Sequence, residues 1–281
     1  MPFNQENILG ISDLRRLYEV MREKHRQDYS HYAATSLKRR IEKFIADENI
    51  SFEVFLEKIS ENQAFLRSFR DSLPVKGTEL FRDPSLWRLL RDSVLPSLIK
   101  KDNLIRIWIP DVSTGEDLLS LLIVLKESGL RNSVLIDCGY NDFENPANNQ
   151  EILYSSSHRE ISSGNYKRYN DKSDLENYFG ETTGGYTFST KLFKGISFSP
   201  INLLRPEKTK PLYNLILCRN ILLYYSQQQH DRLTTVLADA LLPEGLLILG
   251  HYETISFSRD AGRYRSINET ETIYQKNMEN A

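Results

Sequence analysis

The stretch Leu104-Ile-Arg-Ile-Trp-Ile-Pro-Asp-Val-Ser-Thr-Gly-Glu-Asp117 decides the fold of this chain. Its apolar residues 105–109 predict a buried strand, the polar residues 110–115 predict a tight turn, and the Leu-rich run 116–126 predicts a helix. Open α/β sheets bind ligands beyond the carboxyl ends of their strands, where such a turn leads into a helix. The turn is therefore a candidate ligand site, although many α/β domains have a similar corner that binds nothing.

Apolar strand patterns and helical patterns alternate after this stretch. Residues 133–137, 213–218 and 246–249 predict further buried strands, residues 227–242 predict a helix, and residues 263–275 predict a final strand pair. Residues 138–170 read as loops with a helix near Gln150. This alternation predicts an α/β fold with a mostly parallel sheet and helices on both faces.

Composition excludes several classes of protein. Of the 281 residues, 40% are hydrophobic and 26% charged, and the net charge of −2 gives no global reason to expect nucleic acid binding. The chain has only two cysteines, and its five histidines do not have the spacing of metal ligands, so we expect neither a disulfide framework nor a metal site. No apolar run reaches the length of a membrane span, and the first residues lack a signal-peptide pattern, so we expect a cytoplasmic protein without membrane insertion.

The first 74 residues contain amphipathic helical patterns and no strand pattern, which predicts a small helical domain. Its second helix carries Lys38, Arg39, Arg40 and Lys43 on the side opposite its apolar stripe. These cations form either a solvated basic face or a docking surface for an acidic partner helix.

Polar residues also follow the predicted strands. Asp137 comes at the predicted end of the second strand, where a carboxylate can accept hydrogen bonds from both ribose hydroxyls or simply cap a turn. Arg219 and Asn220 follow the central strand, and Arg82 stands at a helix entry, where it could also pair with a neighbouring carboxylate. No Ser/His/Asp set, Walker loop or pair of histidine ligands occurs, which argues against hydrolase, kinase and metalloenzyme functions.

Five motifs occur in register and together resemble the chemotaxis receptor glutamate methyltransferases of the CheR type. They are Thr78-Glu-Leu-Phe-Arg-Asp-Pro84, Ser113-Thr-Gly-Glu-Asp117, Asn202-Leu-Leu204, Cys218-Arg-Asn-Ile-Leu-Leu-Tyr-Tyr225, and Leu242-Pro-Glu-Gly-Leu-Leu-Ile-Leu-Gly-His251 with Glu253. The resemblance covers nearly the whole chain and is strongest in the fourth motif.

The resemblance implies a class I methyltransferase-like (Rossmann-like) α/β domain with a small β-subdomain and a helical N-terminal domain. The boundaries would be 1–74 for the helical domain, 75–103 for a linker and connecting helix, and 104–281 for the α/β domain, with the subdomain near 178–199. The enzyme would transfer a methyl group from S-adenosylmethionine (AdoMet) to glutamates on chemoreceptor cytoplasmic helices or another helical protein, would form S-adenosylhomocysteine, and would act without a metal as a monomer.

The resemblance also assigns residues. Arg82 and Tyr224 would lie at the reacting centre, with Thr78 and Arg82 between the domains. Glu116 would contact the ammonium of the cofactor and Asp137 its ribose. The adenine and methionyl parts would be contacted by Asn202, Leu203, Asn220 and Ile221, and the basic helix would dock the methylation helices through Lys38, Arg39, Arg40 and Lys43.

The chain departs from the family pattern near the cofactor. Lys76 replaces an asparagine, and Pro110, Asp111 and Val112 replace small residues that let the backbone approach the cofactor. The second-strand signature is blurred, so Asp142 is an alternative ribose acid to Asp137. Two interpretations follow: an active methyltransferase, or a CheR-like signalling module that has weakened or lost AdoMet binding and acts through protein or ligand interaction. The loop 180–185 is shorter than in members that bind a receptor tail, which favours a tail-independent protein.

Overall fold

The structure is a computed structural model. It describes residues 9–27, 29–30, 32–73, 79–112, 115–140, 158–182, 185–188, 193, 195–201, 203 and 212–278. The chain forms two compact units, one of residues 1–76 with 222–230 and the other of residues 77–221 with 231–281. The short segment 222–230 therefore belongs to the helical unit, although it lies far from it in the sequence.

Within its described residues the helical unit contains four amphipathic helices, in agreement with the helical pattern of the sequence. They are α1 (Ile11–His25), α2 (Ala34–Glu48), α3 (Phe52–Glu61) and α4 (Gln63–Ser72). Their apolar stripes meet in one core, in which the rings of Phe44, Phe55 and Phe69 pack edge to face. Ser51 and Asn62 cap α3 and α4 by accepting hydrogen bonds from first-turn amides, which fixes where these helices begin.

The α/β unit carries the remaining elements. Its helices are α5 (Pro84–Leu89), α6 (Leu95–Asp102), α7 (Glu116–Glu127), α8 (Arg159–Tyr169) and α9 (Gln227–Ala240), whose first residues fall in the segment 222–230. Its strands are β1 (Ile105–Ile109), β2 (Val134–Tyr140), β3 (Phe179–Thr182), β4 (Gly185–Phe188), β5 (Ile196–Pro200), β6 (Tyr213–Cys218), β7 (Leu241–Leu249), β8 (Tyr264–Asn268) and β9 (Ile273–Lys276).

A seven-stranded sheet organises this unit, in the order β5-β2-β1-β6-β7-β9-β8. The first five strands in that order are parallel, and β9 and β8 are antiparallel to their neighbours. Helix α7 connects β1 to β2 in one direction, whereas α9 connects β6 to β7 in the other. Because parallel crossovers are right-handed, these two helices cover opposite faces of the sheet. The predicted mostly parallel sheet is confirmed.

The topology places a switch point between β1 and β6, since the chain leaves these adjacent strands in opposite directions. Ligands of open α/β sheets bind outside the carboxyl ends of the strands at such a point. The opening strand–turn–helix is therefore located at the position where such sheets bind ligands. None of the helices in the described ranges is long and apolar enough to cross a membrane.

The region predicted as a β-subdomain divides into two parts. Strands β3 and β4 form an antiparallel hairpin outside the main sheet. In contrast, β5 pairs with β2 and forms the edge of the main sheet, so residues 196–199 do not belong with the hairpin. The sequence pattern could not show this, because β5 pairs with a strand that is distant in the sequence: Ile196 lies beside Ile136, sixty residues earlier in the chain.

Candidate functional site

The turn after β1 crosses the carboxyl end of β2 at close range. Val112 donates its amide to the carbonyl of Gly139 at 2.8 Å, and a Cβ added to Gly139 would lie 2.1 Å from the carbonyl oxygen of Pro110. Only glycine fits this position, because any side chain would collide with the backbone of the turn. Pro110 and Val112 are both buried, so they act as a packed bridge from β1 to β2.

Helix α7 begins directly beyond this turn. Gly115 adopts φ 96°, a left-handed conformation that glycine takes without strain. Glu116 follows at the first helical position and is buried, with 6% of its surface exposed. Ser113 and Thr114 of the turn lie outside the described residues, as do three predicted site residues and one departure from the family pattern: Thr78, Asn202, Asp142 and Lys76.

The turn that carries Arg82 is tightly held. Phe81 and Asp83 on either side of it have φ 54° and 58°, which non-glycine residues rarely adopt. The carbonyl of Arg82 accepts hydrogen bonds from Trp87 Nε1 at 2.8 Å and from Arg219 Nη2 at 3.3 Å. The side chain of Arg82 is 31% exposed, and its Nε lies 4.0 Å from Glu79 Oε1. The turn thus fixes the backbone of Arg82 and leaves part of its side chain accessible.

Two helices anchor the residues just before Arg82. Ser120 of α7 accepts a hydrogen bond from the amide of Phe81, and Ser162 of α8 accepts one from the amide of Leu80. Asn165, also on α8, donates to the carbonyl of Leu80. These buried polar bonds tie the Arg82 turn to the same helix that begins at Glu116.

Arg219 follows β6 and forms buried ion pairs with two other segments. The sequence predicted only that it follows the central strand. Its side chain is 1% exposed and pairs with Asp83 and with Asp117, the latter at 2.6 Å, while its guanidinium lies over the ring of Trp87. A buried guanidinium needs such partners because desolvation of an isolated charge is costly. Arg219 therefore connects the carboxyl end of β6 to the Arg82 turn and to the first turn of α7.

Asn220 is held by the loop that follows β7. Its amide and that of Gly250 both donate to Oε2 of Glu253 at 2.7 Å, and Glu253 is buried. Asn220 has φ 56°, so its conformation depends on this support. A Cβ on Gly250 would lie 2.7 Å from Asn220 Oδ1. Glu253 was part of a quoted motif, but its role as the anchor of Asn220 could not be deduced from the sequence.

Two acidic residues lie near the carboxyl end of β6. Burial raises the pKa of the Cys218 thiol well above its ordinary value, and the charges of Glu253 and Asp111 raise it further. Asp111 is half-buried and lies close enough to act on that thiol. Asp111 and Glu253 are therefore both near the end of β6, at the switch point of the sheet.

Asp137 lies within its strand, so the prediction that the strand ends there is wrong. Strand β2 continues to Tyr140 because β5 pairs beside its last residues. Asp137 Oδ2 lies 3.8 Å from Arg106 Nη1, and a hydrogen bond from Tyr213 to Asp137 adds to burial in raising the pKa of Tyr213. Tyr140 occupies the strand end, and Asp142 follows two residues later.

The other predicted cofactor residues differ in their surroundings. Leu203 and Ile221 are buried, with 5% and 7% of their surfaces exposed. Tyr224 belongs to the helical unit, where its ring lies 4.7 Å from the guanidinium carbon of Arg40. On the same basic helix, Lys38 pairs with Glu42, Lys43 pairs with Asp47, and Arg39 is exposed. The four cations of α2 therefore do not form a uniform surface.

Glu116 and the first turn of α7 fit the methionine end of AdoMet. The buried carboxylate of Glu116 matches the ammonium, and the first N–H groups of α7 lack intrahelical acceptors and suit a carboxylate. Asp111 opposes this fit, because a second carboxylate near the methionine tail repels its carboxylate. Among the described residues, no group of three His, Cys, Asp or Glu side chains could hold a metal ion.

Comparison with known proteins identifies the family of this chain. The family model described as "CheR methyltransferase, SAM binding domain" matches residues 76–273, more than half of the chain. A Pseudomonas putida protein called Cher3 is 26% identical over 266 residues, covering 94% of this chain and 96% of its own.

Proteins named chemotaxis protein methyltransferase are also similar. The one from Listeria innocua is 29% identical and covers 84% of this chain and 87% of its own, and the one from Escherichia coli is 26% identical and covers 73% and 71%. Among solved structures, an O-methyltransferase family protein from Burkholderia thailandensis is 10% identical, covering 88% of this chain and 72% of its own, with a TM-score of 0.43. That score is too low to add to the topology described above. The length of the family match settles the assignment: this chain belongs to the CheR family of AdoMet-dependent methyltransferases.

Proposed function

We propose that this methyltransferase transfers the methyl group of AdoMet to glutamate side chains on cytoplasmic helices of chemoreceptors. Membership of the CheR family carries the proposal, because relatives similar over most of their length are named chemotaxis protein methyltransferases. The proposal includes a cytoplasmic location and a monomer as the active unit.

In this proposal, the cofactor lies at the carboxyl ends of β1 and β6. Glu116 holds the ammonium, Asn220 and Ile221 contact the adenine and methionyl parts with Asn202 and Leu203, and Thr78 and Arg82 complete the site. The assignment of Asn220 is supported by its fixed conformation, because its amide donates to Glu253 and its backbone is held at a positive φ. The ribose acid is better assigned to Asp142 than to Asp137, because Asp137 is engaged by Arg106 inside the strand.

Bound AdoMet would supply a sulfonium methyl group, which is already activated for attack by a carboxylate oxygen. The protein then has to align the substrate carboxylate in line with the methyl–sulfur bond, and no strong base is needed. Arg82 orients the carboxylate through its partly accessible guanidinium, which can form a bidentate pair. Tyr224 flanks the methyl group, and the basic residues Lys38, Arg39 and Lys43 of α2 attract the acidic methylation helices.

The test is transfer of tritium from [methyl-³H]AdoMet to a purified chemoreceptor cytoplasmic fragment. Glutamyl methyl esters release volatile methanol in base, so base-labile counts identify the product. Receptor glutamates changed to glutamine serve as the control substrate, since an amide cannot accept the methyl group. Arg82→Met should reduce transfer by about 100-fold, the range found for lost charge-stabilising groups. Absence of heat with S-adenosylhomocysteine at high micromolar concentration, from folded protein, would overturn the proposal.

A further inference from the structure

The segment that carries Tyr224 is bound to the start of α2. Ala33 donates its amide to the carbonyl of Tyr224 at 2.7 Å, and Ser36 Oγ donates to the carbonyl of Leu223 at 3.1 Å. Tyr32 and Tyr225 form an antiparallel bridge, and their rings stack with centroids 6.3 Å apart. The backbone on both sides of Tyr224 is therefore fixed by the N-terminal end of α2.

Arg40 contacts the same segment one helical turn after Ser36. Ser36 and Arg40 are four residues apart, so they lie on the same face of α2. The guanidinium carbon of Arg40 lies 4.7 Å from the centre of the Tyr224 ring, within the range of a cation–π interaction. Backbone bonds thus hold the main chain of Tyr224, and Arg40 holds its ring.

The other cations of this helix have different surroundings. Lys38 Nζ lies 3.8 Å from Glu42, Lys43 Nζ lies 2.6 Å from Asp47, and the side chain of Arg39 is exposed. Arg40 is half-buried against an aromatic ring of its own unit instead. Sequence reasoning grouped all four as docking residues, and the structure separates Arg40 from them by this contact.

We infer that Arg40 is a positioning residue for Tyr224. The inference rests on the proposed function, in which Tyr224 flanks the transferred methyl group. A tyrosine ring on a short turn can rotate about two side-chain bonds, and a cation over its face restricts that rotation. Arg40 therefore fixes the phenol in the orientation that the methyl transfer requires, and its contribution appears when the transition state forms rather than when the receptor docks.

A docking role and a positioning role for Arg40 predict different kinetics. A docking cation contributes equally to ground state and transition state, so its loss raises KM and leaves kcat unchanged. A positioning residue acts on the reacting geometry, so its loss lowers kcat. We expect Arg40→Met to lower kcat by roughly 3- to 30-fold, the equivalent of a cation–π interaction, with KM for the receptor fragment unchanged. The matched variant Arg39→Met should raise KM instead.

A measurement independent of activity observes the ring itself. 3-Fluorotyrosine placed at position 224 of the full chain gives one ¹⁹F resonance, whose chemical shift depends on a charge over the ring. In Arg40→Met this resonance should shift and narrow, and in Arg39→Met it should match the unmodified chain. Arg40→Lys should be intermediate in both shift and kcat, because an ammonium can also lie over an aromatic face.

Two results would overturn the inference: a rise in KM alone in Arg40→Met, or the same ¹⁹F resonance in Arg40→Met and the unmodified chain. If Arg40→Met did not fold, Arg40→Lys would decide, and a kcat and resonance equal to those of the unmodified chain would count against the inference. Lack of methyl transfer by the unmodified chain would refute the proposed function, whereas the ¹⁹F comparison would still decide whether Arg40 holds Tyr224.

Discussion

Arg219 Nη1 lies 2.6 Å from Asp117 Oδ1, which joins the carboxyl end of β6 to the first turn of α7. The same guanidinium pairs with Asp83 and donates to the carbonyl of Arg82. One buried side chain therefore connects the two segments that carry Arg82 and Glu116.

We predict that Arg219→Met lowers the free energy of unfolding by about 3 kcal/mol, because it leaves two carboxylates without their buried partner. Urea unfolding followed by circular dichroism measures this change. The matched control is Arg259→Met, since Arg259 also pairs with a carboxylate but its side chain is 88% exposed. The control should change stability by no more than about 0.5 kcal/mol. Equal losses in both variants would contradict the role given to Arg219.

Gly250→Ala should weaken binding of S-adenosylhomocysteine by about tenfold or more. The new Cβ would lie 2.7 Å from Asn220 Oδ1 and 2.9 Å from Glu253 Oε2, so Asn220 must move. Isothermal titration calorimetry gives the dissociation constant, and a tenfold change corresponds to about 1.4 kcal/mol. Gly262→Ala is the control, because a Cβ there meets nothing within 4 Å. Unchanged affinity in Gly250→Ala would show that Asn220 does not contact the cofactor.

Asp111→Ala should tighten binding of S-adenosylhomocysteine by about three- to tenfold. Its carboxylate acts on the Cys218 thiol at the switch point, where the methionine carboxylate of the cofactor would also lie. Removal of a like charge at partly solvated sites is worth on the order of 1 kcal/mol. The same titration at low and high salt checks the electrostatic origin, with exposed Asp171→Asn as the charge control. Weaker binding would mean that Asp111 holds the ammonium.

The stability of the α/β unit should decline as pH rises above about 10. Burial and the nearby Glu127 raise the pKa of Tyr166 to about 12, and they also raise the pKa values of Tyr169 and Tyr178. All three hydroxyls donate to the Glu127 carboxylate. The stabilisation is fully present below the unfolded pKa of about 10 and is lost as pH rises toward the folded value.

Urea unfolding between pH 9 and pH 12 measures this decline. Each such tyrosine contributes a slope of up to about 1.4 kcal/mol per pH unit, so Tyr166→Phe should flatten the curve. Tyr252→Phe, which removes the hydroxyl of a residue that is 82% exposed, should leave the slope unchanged. Identical slopes in the two variants would argue against the Glu127 cluster as the cause.

Local patterns predicted most of the fold. Apolar runs marked β1, β6 and β7, and helical periodicity marked the four helices of the first unit, because burial of one face imposes a period on the sequence. Helix α8 was missed, since its buried Ser162 and Asn165 are polar and gain their bonds from Leu80, about eighty residues away. A polar residue that is buried by a distant partner gives no periodic signal.

The sequence by itself determined the family, the α/β architecture and the turn from Gly115 to Glu116, because these depend on motifs and on local backbone chemistry. The tertiary structure alone decided the positions of three predicted residues. Pairing with β5 extended β2 past Asp137, the buried charge of Arg219 fixed the Arg82 turn, and the Tyr224 ring engaged Arg40. Each of these contacts joins residues that are distant in the sequence. Local sequence patterns therefore cannot predict them.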